Sequence, residues 1–311
     1  MKAVRIYAYG GQDQLTVEDA PVPQPGDNDV LVRVVATSVN PVDWKIREGY
    51  LKEMLPYHFP IILGWDVSGV VESVGKAVTQ FKPGDAVYSR PDILRAGTYA
   101  EYISIDANEV AFKPATISHS SAASLPLAGI TAWDVLIKAA GIKNGDRVLI
   151  HAASGGVGSL AVQLAKARGA YVIATTSAKN SALVKSLGAD EIIDYRTQSF
   201  EKMVTDVDIV FDSLGGEIQQ KSWQVLKPNG ILVSIVNPPS VEQAAAHNAR
   251  SAFVFIKPDA AVLKELATLV DAGKIRPIIG AEFALSDIAK AQALSESGRA
   301  VGKIVVHVGN P

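Results

Sequence analysis

Two hydrophobic rhythms follow one another along this chain. From Met1 to about Ser118, apolar residues gather in short β-rich segments: VRIYAY, DVLVRVVATSVN, VSGVVESVG and AEYISI. Pro and Gly signals such as PVPQPGDND, FKPGD and RAGT separate them. Only a short helical piece, around Pro41 to Gly49, interrupts the run, so an irregular all-β domain is predicted. Near Ile117 the pattern changes. SHSSAASLPLAGITAWDVLIKAAGIKNGD has helix-start residues, apolar positions at helical spacing and Gly stops. From Arg147 strand and helix alternate, with strands read at RVLIHAA, YVIATTS, EIIDY, VDIVFDS, GILVSIV and AFVFIK. That alternation predicts an α/β fold with a doubly wound parallel sheet. After Lys257 comes a helix, DAAVLKELATLVDAG, and the last strand, KIVVHV, has no helix after it and is expected to return to the β domain. The predicted organisation is 1–118, 119–258 and 259–311, the third segment rejoining the first.

The stretch Ala153-Ser154-Gly155-Gly156-Val157-Gly158 lies between a predicted strand and a predicted helix, as a dinucleotide fingerprint requires. Val157, Leu160, Ala161, Leu164 and Ala165 recur at helical spacing and predict one buried face. Gly155 lets the backbone approach a pyrophosphate, and Gly158 lets helix and strand pack closely. The helix N-terminus supplies N–H groups for phosphate. The alternative is a plain strand-to-helix turn. Sites for NAD usually carry an acid about 20 residues further on, bonding the ribose. Here the second strand ends in Ser177, with Lys179 just after. A carboxylate would repel a 2′-phosphate, whereas a hydroxyl and an ammonium attract it. NADPH is therefore the expected cofactor, with Tyr195 and Arg299 as candidates to complete the pocket. Asp212 and Ser213 end the fourth strand, on the side where such sheets bind ligands; Ser213 and the region of Val236 and Asn237 are expected to touch the cofactor.

Composition narrows the chemistry. The chain has 311 residues, 48% of them hydrophobic, with a net charge of -2, so a sizeable core is expected and no nucleic-acid footprint. It contains no cysteine, which removes disulfides, thiolate catalysis and thiolate zinc sites. MKAVRIYAYGGQDQ turns polar too early for a secretory apolar region, and no run approaches the ~20 apolar residues of a membrane span. A cytoplasmic protein is expected. No tyrosine has lysine four residues later, and there is no Gly-x-Ser-x-Gly elbow.

Beyond the glycine loop, further segments carry a resemblance: NPVDWKIREG, LGWDVSGVVESVG, FKPGDAVY, GTYAEY, AASLPLAGITAW, LGADEIIDY and GKIVV, in this order over essentially the whole chain. Together they resemble the medium-chain dehydrogenase/reductase superfamily, in its zinc-free quinone oxidoreductase and enone reductase branch. The resemblance implies a GroES-like β-barrel domain around a Rossmann domain, with the active site in the cleft between them. Zinc-binding members carry a Cys near the NPVD stretch and Gly-His-Glu where this chain has Gly64-Trp65-Asp66. His58, His119, His151, His247 and His307 are scattered without ligand spacing, so no metal is expected.

Without zinc, hydride addition is easier to a conjugated enone or quinone, whose charge spreads into an enolate or phenolate, than to an isolated ketone. A small conjugated carbonyl or quinone is thus the expected substrate. By resemblance Asn40, Asp43, Lys45 and Tyr50 line the substrate cleft, Thr131 lies near the nicotinamide, and Phe255 and Ile256 lie near the nicotinamide end. The residues themselves admit plainer readings. Lys45 is either a donor to the carbonyl or ribose or a surface lysine. Tyr50 is a proton donor or a packing aromatic, Asn40 a helix cap, and Asp43 a first-turn acid. His151, inside a strand, reads as a satisfied core histidine, and Trp65 and Asp66 as structural. The AFVFIK strand, as an open edge, predicts a homodimer. A catalytically silent NADPH-binding protein is the rival reading.

Overall fold

The structure is a computed structural model that describes residues 1–309. The chain forms two compact units, one of Met1–Leu127, Lys257–Gly273 and Pro277 onward, the other of Ala128–Ile256 and Lys274–Arg276.

The first unit opens with eight strands: β1 (Lys2–Ile6), β2 (Thr16–Asp19), β3 (Asp29–Val39), β4 (Ile61–Ile62), β5 (Val67–Val74), β6 (Ala86–Ser89), β7 (Tyr102–Asp106) and β8 (Val110–Phe112). The longest, β3, is nearly buried throughout, as its Val-rich sequence dictates. Its pairing with β5 slips register at Leu31/Val32 and again at Val34/Ala36, irregularities of the kind that bend a strand. It also pairs with β7.

The second unit holds the six remaining predicted strands of the alternating region: β9 (Arg147–Ile150), β10 (Tyr171–Thr176), β11 (Glu191–Asp194), β12 (Val207–Asp212), β13 (Leu226–Ser234) and β14 (Arg250–Phe253). All neighbours are parallel, in the order β11-β10-β9-β12-β13-β14. The chain winds outward from β9 in both directions, the doubly wound topology the alternation predicts. The last strand sits two residues earlier than AFVFIK suggests, because Arg250 to Phe253 are the residues in register with Ile231 to Ser234. Val157, expected on a buried face, is half-buried at the start of its helix, Gly156–Ala167; Leu160, Ala161, Leu164 and Ala165 are buried as expected.

Two more strands, β15 (Ile279–Ala284) and β16 (Lys303–His307), belong to the first unit. β16 pairs antiparallel with β3, setting Ile304 opposite Val39 and Val306 opposite Thr37. The main sheet there reads β15-β16-β3-β5-β6-β8, and a smaller one β2-β1-β4. No helix among the described residues is long and apolar enough to cross a membrane.

Candidate active site

In the second unit the glycine loop joins β9 to the helix Gly156–Ala167. Gly155 is the N-cap, in an extended conformation, and bears no side chain that would occupy the helix start. The first N–H groups of an α-helix have no partner inside it, so this end is open to an anion. Ala153 N–H donates to Thr175 O at 3.0 Å, and Gly155 N–H to Ala152 O at 2.9 Å, which fixes the turn. At Gly158 a Cβ would fall 2.4 Å from Ala152 O and 2.8 Å from Ala153 Cα, a closeness only glycine permits.

The end of β10 is built onto this loop. Ser154 Oγ receives hydrogen bonds from Thr176 Oγ1 and Asn180 Nδ2, both at 3.1 Å. Ser177 is 3% exposed, while Lys179 is exposed and makes no ion pair among the described residues. Tyr195, exposed, follows β11 and its N–H donates to Thr176 O at 3.2 Å, which brings it beside them. Arg196, a cation the sequence reading passed over, holds its guanidinium 6.0 Å from the Tyr195 ring. Its only signal is its place next to Tyr195. Arg299 lies in the first unit, exposed after the helix Ile288–Glu296, so it does not belong to this cluster's own unit.

On the other side of β9, Asp212 is fully used within the protein. Its Oδ1 accepts from Leu214 N–H and Gly215 N–H at 3.0 and 2.8 Å, and its Oδ2 from Gln219 Nε2 and Ser234 Oγ at 2.9 and 2.8 Å. Its role is to hold the loop. Ser213 Oγ donates to His151 O at 3.3 Å, and Val236 N–H to Ser234 Oγ at 3.3 Å. Phe255 is half exposed and Ile256 buried; both follow β14, with β12 and β13 between that strand and the glycine loop. Thr131 is buried in the helix Pro126–Trp133. His151 is the core histidine expected: Nδ1 meets Thr175 Oγ1 at 3.2 Å and Nε2 meets Ser222 Oγ at 3.0 Å, and burial pulls its pKa down to about 4.

In the first unit, Asn40 ends β3 and precedes the helix Pro41–Arg47. A residue before proline is steered to extended backbone, and Asn40 has φ -123 and ψ 152. Asp43 accepts the Asn40 N–H at 2.8 Å, the return half of a capping box. The Asn40 side chain serves another purpose: its Nδ2 donates to Asp66 Oδ2 at 2.8 Å and its Oδ1 accepts from Lys303 Nζ. Asp66 Oδ2 also accepts from Ser38 Oγ at 2.6 Å and Lys303 Nζ at 3.0 Å, and its Oδ1 from Leu127 N–H at 2.6 Å. Asp66, Ser38, Asn40 and Lys303 are all buried. The sequence reading treated Asp66 as structural and overlooked Lys303. The available signal was an acid inside the apolar run LGWDVSGV, which has to find a cation or donors when it folds.

Asp43 is buried too, with Oδ2 bonded also by the Tyr99 hydroxyl and Oδ1 without a partner. Desolvation pushes its pKa up to about 7 from 3.8. Between those two values the folded chain binds more protons than the unfolded one, so this residue's contribution to stability falls as pH rises through the window. Asp43→Asn should therefore flatten the decline: urea unfolding at several pH values from 4 to 8 should show the variant gaining on the parent as pH rises. A constant difference across that range would refute the assignment.

Lys45 is half-buried on the same helix; its Nζ lies 5.8 Å from the Trp44 ring centroid and meets no acceptor among the described residues, and burial pulls its pKa down. It is thus neither a solvated lysine nor an ion-paired one. Tyr50 is 69% exposed and stands edge-on to Trp44, with ring centroids 6.1 Å apart. Among the described residues no group of three or more His, Cys, Asp or Glu is arranged to hold a metal.

Comparison with known proteins agrees with both units. Residues 26–115 match the alcohol dehydrogenase GroES-like domain and residues 187–306 the family described as zinc-binding dehydrogenase. The 2-methylene-furan-3-one reductase of Solanum lycopersicum is 38% identical over 324 residues, covering 99% of this chain and 79% of the relative. The quinone oxidoreductase of Coxiella burnetii has a structure that superposes with a TM-score of 0.94 at 36% identity, covering 99% of each chain. The Escherichia coli quinone oxidoreductase complexed with NADPH superposes at 0.88 with 26% identity, over 99% of this chain and 100% of the other.

Proposed function

We propose, from the premise that this chain belongs to the medium-chain dehydrogenase/reductase superfamily and to its quinone oxidoreductase branch, that it reduces a quinone or an α,β-unsaturated carbonyl with NADPH and without zinc. Membership supports an oxidoreductase using a nicotinamide cofactor. The observation that carries the finer reading is the state of Asp66. Where zinc-binding relatives have Gly-His-Glu, this chain offers a buried indole at Trp65 and a carboxylate already engaged by four protein donors, three on Oδ2 and one on Oδ1, Lys303 among them. That donor set does not suit a zinc ion, although the family description includes zinc binding.

In this reading the open end of the helix Gly156–Ala167 holds the pyrophosphate, and Ser177, Lys179 and Tyr195 hold the 2′-phosphate. When bound, NADPH supplies hydride. Lys45 Nζ, half-buried and without an acceptor among the described residues, donates a hydrogen bond to the acceptor's carbonyl oxygen. A conjugated acceptor spreads its new charge, so this one cationic donor suffices without a Lewis acid. The printed name of the tomato relative, a methylene conjugated to a ketone, is consistent with that acceptor class. The outer edge of β14, which pairs only with β13 among the described residues, is read as the edge at which two copies join.

The test is NADPH oxidation with a panel of small quinones and enones, run alongside Lys179→Ala. Turnover is expected with members of the panel, and the variant should lose roughly tenfold or more of its preference for NADPH over NADH. Tight NADPH binding with no turnover across the panel would favour a silent binding protein. An unchanged preference would remove Lys179 from the phosphate pocket.

A further inference from the structure

The strand register of the second unit sets a further cation beside Ser177 and Lys179. β10 and β11 run parallel with Thr176 level with Asp194, so Ser177 and Tyr195 leave their strands side by side. Neighbouring strands lie ~4.8 Å apart. The turn after β11 is therefore one strand spacing beyond Ser177, and two beyond the glycine loop at the end of β9. A dinucleotide whose pyrophosphate sits on that loop carries its adenosine outward over β10. Its 2′ position then falls between the turns that follow β10 and β11.

The turn after β11 is braced, and its cation is left unspent. Asp194 O accepts from Thr197 N–H at 3.1 Å and from Gln198 N–H at 2.9 Å, and Gln198 Oε1 accepts the Asp194 N–H at 2.8 Å. The Asp194 carboxylate is folded onto the same turn: Oδ1 accepts from Arg196 N–H at 3.1 Å and Oδ2 from the Thr197 hydroxyl at 3.4 Å. It thus fixes the Arg196 backbone without pairing with the guanidinium. Glu201, the next acid along the chain, lies 3.7 Å from Lys221. Arg196 is exposed and makes no ion pair among the described residues. Its guanidinium lies 6.0 Å from the Tyr195 ring centroid, a distance at which a cation and an aromatic face still attract. Other arginines of the unit lie elsewhere: Arg147 and Arg250 open β9 and β14 at the opposite edge of the sheet, and Arg168 ends the helix that runs back to it.

The charge of the ligand calls for such a residue. A phosphate monoester carries roughly −1.5 to −2 at neutral pH, and Lys179 supplies a single ammonium. An arginine adds the second charge, on a planar fork that matches phosphate oxygens in two parallel hydrogen bonds. We infer that Arg196 is a specificity-determining residue: its guanidinium binds the 2′-phosphate of NADPH together with Lys179, and Tyr195 is the aromatic platform that holds it ready. The inference rests on the reading of this pocket as an NADPH site, and gives the pocket a second cation that Ser177, Lys179 and Tyr195 do not supply.

Binding of nucleotide fragments tests it without turnover. Calorimetric titration of the full, cofactor-free chain should show 2′,5′-ADP binding more tightly than 5′-AMP. Arg196→Gln should weaken 2′,5′-ADP roughly tenfold and leave 5′-AMP as it was. Arg196→Lys, which keeps the charge without the fork, should fall between the parent and Arg196→Gln. The urea midpoint of both variants should match the parent's, because this exposed side chain holds no other element in place. If Lys179→Ala weakens 2′,5′-ADP and Arg196→Gln does not, the NADPH reading stands and the inference about Arg196 falls. Equal losses on both nucleotides would make Arg196 a contact to adenine or ribose, and would overturn it too. If the parent itself binds the two nucleotides equally, the NADPH reading falls and the inference falls with it.

Discussion

Asp66→Ala is expected to cost about 3–5 kcal/mol of unfolding free energy, the range found when one partner of a buried ion pair is removed. The loss has a specific origin. Lys303 Nζ would keep only Asn40 Oδ1 and a 3.3 Å contact with Val39 O, so its charge would stay buried without a counterion. Ser38 Oγ, Asn40 Nδ2 and the Leu127 N–H would lose their acceptor at the same time. Because Asn40 precedes the helix that carries Asp43 and Lys45, the damage should reach the residues proposed to face the substrate. Urea unfolding of Asp66→Ala and of the double variant Asp66→Ala with Lys303→Met measures this. The double variant should recover much of the loss, since no charge remains stranded in the core. A single-variant loss below ~1 kcal/mol would mean that solvent reaches the cluster and that the pair is not buried in the sense argued above.

The second large effect is expected at Gly158. A methyl there would sit 2.4 Å from Ala152 O, so either the helix or the turn after β9 must move. Overpacking of this kind costs about 1–3 kcal/mol. The displaced part is the end of the helix read as holding the pyrophosphate, so Gly158→Ala should also weaken NADPH roughly tenfold or more, as measured by fluorescence titration. Gly155→Ala is the informative companion. Its Cβ would meet Ala152 O at 3.2 Å, a milder approach, so it should disturb stability less. If Gly158→Ala binds NADPH like the parent, the glycine is there for some reason other than the close approach of helix and strand.

Both results depend on features of different legibility. The loop from Ala153 to Gly158 was readable because its requirements are local: a strand, a turn too tight for a side chain, and a helix, all within a few residues. The absent acid at Ser177 was equally local, being a fixed distance along the same βαβ unit. The order of the sheet followed from the alternation of its elements, and β14 shifted by two residues because register is set by the neighbouring strand and not by the hydrophobicity of its own segment.

The buried charges obeyed no such local rule. Asp66 meets Lys303 across 237 residues of chain, and Asn40 meets it across 263, because β16 returns to pair with β3. What this sequence determined by itself was therefore the set of elements, their αβ order and the glycine loop between strand and helix, since hydrophobic period and turn chemistry act over a few residues. Which ionisable groups neutralise one another was decided only in the tertiary structure. A buried charge must be satisfied by whatever the fold brings within hydrogen-bonding distance, and that is a property of strand pairing rather than of spacing along the chain.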